Sequence, residues 1–567
     1  MNRTGDDLQS LARAGWLRRV DAALGEWIAR AFPDSPAEVA LAAALAARAV
    51  DEGHSALRLD AARAWLAGLE GRGETPALPD PIVWQASLRA SDAVQCVSNR
   101  EAPESVPRKP LVLDAEGRVY LARYFGYEQR LARDLIARAR AARLTLVTGG
   151  PGTGKTHSVV QMLAALAGDA HAQSHVLRIA LAAPTGKAAA RLAESVRAQL
   201  PELGLSDAMA AMIPRETFTL HRLLGLSPFS TRAKFHRDAL LPFDVVVVDE
   251  VSMVDLPMMC KLAEAVRDNA MLILLGDPDQ LAAVEAGDVL GALVDAARES
   301  PLLYCHTQLT QSRRFAEHGA LGRLANAIAR GDPDAALATL EDGEEVRLFA
   351  SEARGARLIE RAVEAYRDVL DAPGADAALR AAARFRVLSA LRHGPAGNLA
   401  LDRAIEQRLK RHAGVRADAS WWRGRLLMVT VNRAGLGLFN GDVGVVWPDA
   451  SGDMKVWFEG AEGTLRAISP AALPPHEGAF ALTVHKAQGS EFERVALVLG
   501  ADTPVLTREL LYTGITRARE RVDIYGDEGL LRTGIARRTQ RWNGLADRLR
   551  EAATAPTSIA ESLPDAT

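Results

Sequence analysis

Four short apolar runs punctuate the middle of the chain. They read "LTLVTGG" from Leu144, "RIALAAPTG" from Arg178, "VVVVDE" from Val245 and "LILLGDPDQ" from Leu272. Each ends in glycine or in acids, and helical patterns with apolar residues at three- and four-residue spacing separate them. Continuous apolar strands alternating with amphipathic helices predict a parallel sheet covered on both faces. The same grammar returns near the end of the chain in "FRVLSALR", "FALTVHKAQGSEFERVALVLG" and "ELLYTGITRARERVDIYGD". The fold class is therefore α/β with two such blocks. Between 420 and 475 the texture changes to Val, Gly and Trp with turn signals such as Asn440-Gly441, which predicts a small all-β insert. "PLVLDAEGRVYLARY" reads as a short hairpin and "EQRLARDLIARARAA" as an amphipathic helix. Residues 1–110 are helical in pattern and carry no chemical motif, as expected of a docking domain. From 551 the chain is rich in Ala, Thr, Ser and Pro, which predicts a disordered tail. The expected domains are 1–110, 111–300, 301–550 and the tail 551–567.

Composition narrows the function. The chain has 567 residues, 48% hydrophobic and 25% charged, with a net charge of -3. A nucleic-acid partner would have to be held by a local basic track and not by a globally basic body. No apolar run is long enough for a membrane span; "EVALAAALAARAV" is broken by Arg48 and reads as a packed helix. The N-terminus has no signal-peptide core, and Cys96, Cys260 and Cys305 lie too far apart for a local metal site. Reduced cytoplasmic thiols are expected.

Gly149 to Thr156 fit G-x-x-x-x-G-K-[ST] between a strand and a helix. Backbone N–H groups of Gly149, Gly150, Pro151, Gly152, Thr153 and Gly154 (Pro151 lending only its turn) would wrap phosphates at a helix N-terminus. Lys155 would reach the β- and γ-phosphates and Thr156 would ligate Mg²⁺. Asp249 and Glu250 close the Val245–Val248 strand, Asp249 as a Mg²⁺ acid and Glu250 as the group that activates water. Gln280, neutral with both a donor and an acceptor, suits a γ-phosphate sensor. Transition-state charge calls for arginines from the far side of a cleft; Arg314 and Arg517 are candidates, with Arg313, Arg519 and Arg521 as competitors.

The order of motifs resembles that of a superfamily-one DNA helicase of the five-prime-to-three-prime branch. It runs "YEQRLA", "GGPGTGKT", "APTGKAAARL", "TLHRLLG", "VVDEVSM", "GDPDQL", "QSRRF", "TVHKAQGSEF" and "YTGITRAR". "PLVLDAEGRVYLARYFGYE" and "RAGLGLFNGDVGVV" narrow it to the RecD-like group. The resemblance implies two RecA-like P-loop NTPase domains, an SH3-like β insert and a small DNA-facing hairpin at 225–242. It implies ATP and Mg²⁺ as cofactors. It places Gln129 at the adenine edge, Glu491 at the ribose or γ-phosphate, and Arg314 and Arg517 as arginine fingers, with Arg313 left open beside Arg314. It assigns Thr185, Lys187, Thr219, His221, Thr483, His485, Lys486 and Ser490 to a DNA track. The implied function is an ATP-dependent 5′-to-3′ DNA helicase beside RecB-like and RecC-like subunits, with the nuclease centre on another subunit. A stand-alone RecD-like helicase and a non-motor regulatory ATPase are the alternatives.

Overall fold

The computed structural model describes residues 3–69, 74–97, 107–227, 232–310, 319–341, 343–350, 354–460 and 464–555. Chain order begins with β1 (Leu57–Arg58), β2 (Val94–Cys96), β3 (Leu111–Leu113) and β4 (Arg118–Leu121), which form one sheet in the order β1-β4-β3-β2. This sheet joins the helices Arg3–Arg13, Arg19–Ala31 and Ala37–Asp51. Leu57, Val94, Leu111 and Val119 share a core with Ala42, Ala46 and Trp84. The hairpin at 111–121 thus belongs to the N-terminal sheet, while Val112 and Tyr120 on its other face pack on Phe125 of the helix Ala122–Arg140. The N-terminal unit is not purely helical.

The first RecA-like sheet contains β5 (Leu144–Gly149), β6 (Ile179–Ala183), β7 (Phe218–Thr219), β8 (Val245–Val248), β9 (Met271–Gly276) and β10 (His306–Leu309). Its order is β10-β5-β9-β8-β6-β7 and every pair is parallel. All four valines of β8 are buried, because helices cover both faces and β-branched side chains fill the pleat. β10 carries this unit past residue 300.

β11 (Val346–Phe349) and β12 (Phe385–Ser389) then lead into the insert. It comprises β13 (Leu426–Val429), β14 (Val443–Pro448), β15 (Met454–Glu459), β16 (Leu465–Ile468) and β17 (His476–Gly478). The insert sheet is antiparallel, in the order β16-β15-β14-β13-β17. Asn440-Gly441 turns into β14, with Gly441 at φ 95°. The chain returns through β18 (Ala481–Thr483), β19 (Phe492–Val498) and β20 (Ala518–Tyr525) to a second parallel sheet, β11-β20-β19-β12-β18. The fold is therefore α/β with two RecA-like parallel sheets, as the motif order implied.

After β20 the chain turns back. Arg541 donates to the Ala283 carbonyl and to that of Glu52. Trp542 enters the N-terminal core. The helix Leu545–Thr554 lays Leu545, Leu549 and Ala552, spaced four and three apart, into the core of the first RecA-like unit. Residues 545–550 thus pack away from the second unit, and 551–554 are helical where a disordered tail was expected. A buried ionic cluster secures the return: Arg548 pairs with Asp114 at 3.1 Å and Arg118 with the same carboxylate at 2.7 Å. Of the expected hairpin at 225–242, residues 228–231 lie outside the described residues; the rest holds an antiparallel bridge between His236 and Ala239. Among the described residues, no helix is long and apolar enough to cross a membrane.

Candidate nucleotide and DNA site

The phosphate loop leaves β5 at Gly149 and enters the helix Lys155–Ala172 through Gly154, at φ 88° and ψ 19°. That left-handed conformation favours glycine, and it aims the first helical N–H groups back into the loop. The loop is tightly enclosed. A Cβ on Gly149 would lie 2.5 Å from the Leu309 carbonyl, and one on Gly150 would lie 2.8 Å from the Tyr512 hydroxyl of the second unit. Lys155 Nζ donates to the carbonyls of Gly149 at 2.5 Å and Gly150 at 3.0 Å. Its ammonium thus rests on the loop itself. Thr156 follows in the first turn, half-buried.

Asp249 and Glu250 stand at the carboxyl end of β8, where open α/β sheets bind ligands. The Asp249 backbone N–H donates to Ala182 O at 2.9 Å, and its Oδ1 accepts the Glu250 N–H at 2.8 Å. Enclosure by protein, reinforced by neighbouring Glu250, pushes the Asp249 carboxyl up to about 6, against the pull of Lys155. Glu250 holds φ 54° and ψ 43°. A left-handed non-glycine residue costs roughly 1–2 kcal/mol, a strain kept where the surrounding fold fixes one side-chain direction.

The loop after β9 binds the two units together. Asp277, only 1% exposed, accepts from Gln280 Nε2 at 3.0 Å and from the Tyr512 hydroxyl at 3.2 Å. Burial raises its pKa. The Leu281 N–H donates to Thr513 Oγ1 at 2.9 Å, and the Leu281 carbonyl accepts from Gln488 Nε2 at 3.0 Å. Among the described residues, Gln280 Oε1 is buried and meets no hydrogen-bond partner. Such an acceptor carries a desolvation cost until a donor reaches it.

The second unit presents Arg517 and Glu491. Arg517 is 3% exposed; its guanidinium donates to Thr513 O at 3.0 Å and Ser490 O at 3.2 Å, both within its own unit. Glu491 pairs with Arg519 at 2.9 Å and, across the cleft, with Arg191 at 3.0 Å. Arg313 and Arg314 lie outside the described residues. Gln129 is buried on the helix Ala122–Arg140, next to Glu128, whose carboxylate accepts from Ser55 Oγ at 2.6 Å and from the Gly544 N–H at 3.1 Å.

The DNA-track candidates divide into groups. Thr185 caps the helix Gly186–Gln199, accepting from Ala188 N at 3.2 Å, and lies 3.6 Å from where a Cβ on Gly489 would sit. Lys187 stands 6.0 Å over the Phe492 ring; burial, with Arg191 and Arg386 nearby, lowers it to about 8. Thr185, Lys187 and the buried Ser490 thus meet where the units face each other. Thr219 lies beside Ala183 on the adjoining strand and caps the short helix that carries exposed His221. Thr483 ends β18 and accepts from Lys486 N at 3.3 Å. Lys486 itself pairs with Glu477, and burial with Arg541 nearby lowers the His485 pKa. Asp277 and Tyr512 escaped the sequence reading as site residues, and Arg191 escaped it as a contact that joins the two units. All three sit inside quoted motifs, but their roles come from partners some 230 to 300 residues away.

Family models match residues 13–120 to the N-terminal domain of RecBCD enzyme subunit RecD, 126–351 to an AAA domain and 478–525 to a UvrD-like helicase C-terminal domain. The chain is 38% identical over 579 residues to RecBCD enzyme subunit RecD of Mycobacterium tuberculosis, covering 96% of each chain. It is 40% identical over 558 residues to that of Mycolicibacterium smegmatis, covering 92% of this chain and 95% of the relative. The ATP-dependent RecD2 DNA helicase of Deinococcus radiodurans is 34% identical over 414 residues, 72% of this chain but 50% of that protein. End-to-end coverage of the first two at this identity settles the affiliation: the chain belongs to the RecD subunit family of RecBCD enzymes.

Proposed function

We propose that this cytoplasmic chain is the ATP-driven motor of a RecBCD-type helicase–nuclease. It moves 5′ to 3′ on single-stranded DNA beside RecB-like and RecC-like subunits, in DNA end processing and repair of double-strand breaks by recombination. The observation that carries this reading is the docking of the Asp277–Leu281 loop onto Tyr512, Thr513 and Gln488. The loop beside the phosphate site is also the loop the second unit grips.

The donor set fits a nucleoside triphosphate: a helix N-terminus behind Gly154, open space where a Gly154 side chain would be, and Lys155 resting on carbonyls it can release. Lys155 would exchange those carbonyls for phosphate oxygens, which are stronger acceptors. Thr156 and Asp249 would hold Mg²⁺, which neutralises phosphate charge when bound. Glu250 would orient and deprotonate the attacking water. Gln280, tethered through Nε2 to Asp277, would report the γ-phosphate. Arg517 would trade the carbonyls of Thr513 and Ser490 for phosphate oxygens, with Arg314 as its counterpart. Gln129 would read the adenine edge. Each cycle of closure and release would then shift the two halves of the DNA track past each other. Thr185, Lys187, Thr219, His221, Thr483, His485, Lys486 and Ser490 would grip phosphates without regard to sequence.

The test is ATP hydrolysis by the full-length chain at low salt, with and without a single-stranded oligonucleotide. The expected result is stimulation on the order of tenfold or more, of the kind a coupling of about 1–3 kcal/mol produces. An unchanged rate sinks the motor reading and favours a regulatory ATPase.

A further inference from the structure

Residues 488–491, "QGSE", are held from several directions at once. Gln488 reaches Leu281 O in the first unit. Ser490 O takes Arg517, and Glu491 takes Arg519, both from the second unit. The remaining hold comes from Arg191 on the helix Gly186–Gln199 of the first unit. One arm of its guanidinium donates to Gly489 O at 3.1 Å, and the other pairs with Glu491 at 3.0 Å. The Arg191 side chain is 29% exposed and that of Glu491 11%, so the pair is well shielded from water. The N-terminus of the same helix is capped by Thr185 and followed by Lys187, both candidates for the DNA track.

We infer that Arg191 is a positioning residue that couples the nucleotide cleft to the DNA track, by tying the 489–491 turn of the second unit to the helix that begins at Thr185. The inference rests on the motor reading above and extends it. Two geometric facts support a coupling role over simple adhesion. First, the planar guanidinium bridges a backbone carbonyl and a carboxylate, a fork that fixes direction as well as distance. Second, an ion pair taken partly out of water adds little net stability, since desolvation offsets its attraction, but it does specify one arrangement of the groups it joins. A shift of Glu491 toward nucleotide would release one arm of the fork while the other still pulled on Gly489. The helix, and with it Thr185 and Lys187, would follow. Arg191 acts through the groups it holds, Gly489 and Glu491.

The experiment compares the parent chain with Arg191→Met and Arg191→Lys, all full length. Met keeps the length and packing of the stem and removes the fork; Lys keeps the charge and one donor direction. ATP hydrolysis is measured with and without oligo(dT), together with the thermal midpoint. The expected result for Arg191→Met is a basal rate and midpoint close to the parent's, with DNA stimulation reduced about tenfold. Arg191→Lys should recover part of the stimulation. Stimulation of Arg191→Met equal to the parent's overturns the coupling role. So does a parallel fall of basal rate and thermal midpoint, which marks a structural residue. A parent chain that DNA does not stimulate removes the motor reading itself, an outcome separate from either.

Discussion

Lys155→Gln is expected to lower ATP turnover on the order of 10³-fold while leaving the chain folded and able to assemble with its partners. The size follows from the loss of a preorganised cation aimed at phosphate charge in an enclosed site, where one donor is worth about 3–4 kcal/mol. The lack of a folding effect follows from what Lys155 touches. In this state its ammonium meets the carbonyls of Gly149 and Gly150, and the side chain is half-buried. Gln retains a donor for one of those carbonyls, so the thermal midpoint should move by a degree or two at most, as for roughly 0.5 kcal/mol in a large chain. Hydrolysis by the purified variant and its copurification with the RecB-like and RecC-like subunits are the readouts. Loss of assembly would show that the phosphate loop and the docking surface are not separate parts.

Trp542→Ala should cost roughly 3–5 kcal/mol, the usual result of deleting a buried aromatic side chain. Trp542 is 7% exposed in the N-terminal core, its ring stacked on His54 with centroids 4.3 Å apart and set edge-on to Trp65 at 5.5 Å. Its backbone N–H donates to His54 Nδ1 at 2.9 Å and its backbone carbonyl accepts from Ser55 N at 2.9 Å, contacts that alanine retains. The loss should also carry a pH signature. Burial, with Arg541 nearby, lowers the His54 pKa to about 3. The unfolded chain returns this group to its ordinary value near 6.5. Between those values the unfolded state binds more protons, so the stability from neutral His54 is complete above about 6.5 and is lost as pH falls. At pH 5 that loss is about 2 kcal/mol relative to pH 7.5. Opening the Trp542 site lets His54 titrate near its ordinary value in the folded chain, so the variant should lose less on acidification than the parent. Equal acid slopes in denaturant titrations at the two pH values would mean that His54 is not held neutral by this packing.

The strands and loops that carry the candidate site were legible because their pattern is local. A run of valines ending in two acids, or glycines before a Lys-Thr helix start, announces both element and site within ten residues. What could not be read has a common physical cause. β10 reads "HTQL", with no apolar run, and joins the sheet through backbone pairing with β5. β1 to β4 have two to four residues each, too few to show a period. The segment 551–554 is Ala-rich, a composition that serves a helix as well as a tail; Leu545, Leu549 and Ala552 were the overlooked signal. The pairings Asp277–Tyr512 and Arg191–Glu491 join residues 235 and 300 positions apart, so only the folded chain brings them together. Arg517 was singled out by family order, but its present partners on its own unit carry no trace in the sequence.

The proposed motor has a direction. The most direct measurement is ATP-dependent strand displacement by the full-length chain, on duplexes carrying a single-stranded tail at one end only. The expected result is unwinding of the 5′-tailed duplex, none of the 3′-tailed one, and none of either by Lys155→Gln. Unwinding that prefers the 3′ tail, or that persists without Lys155, would contradict it.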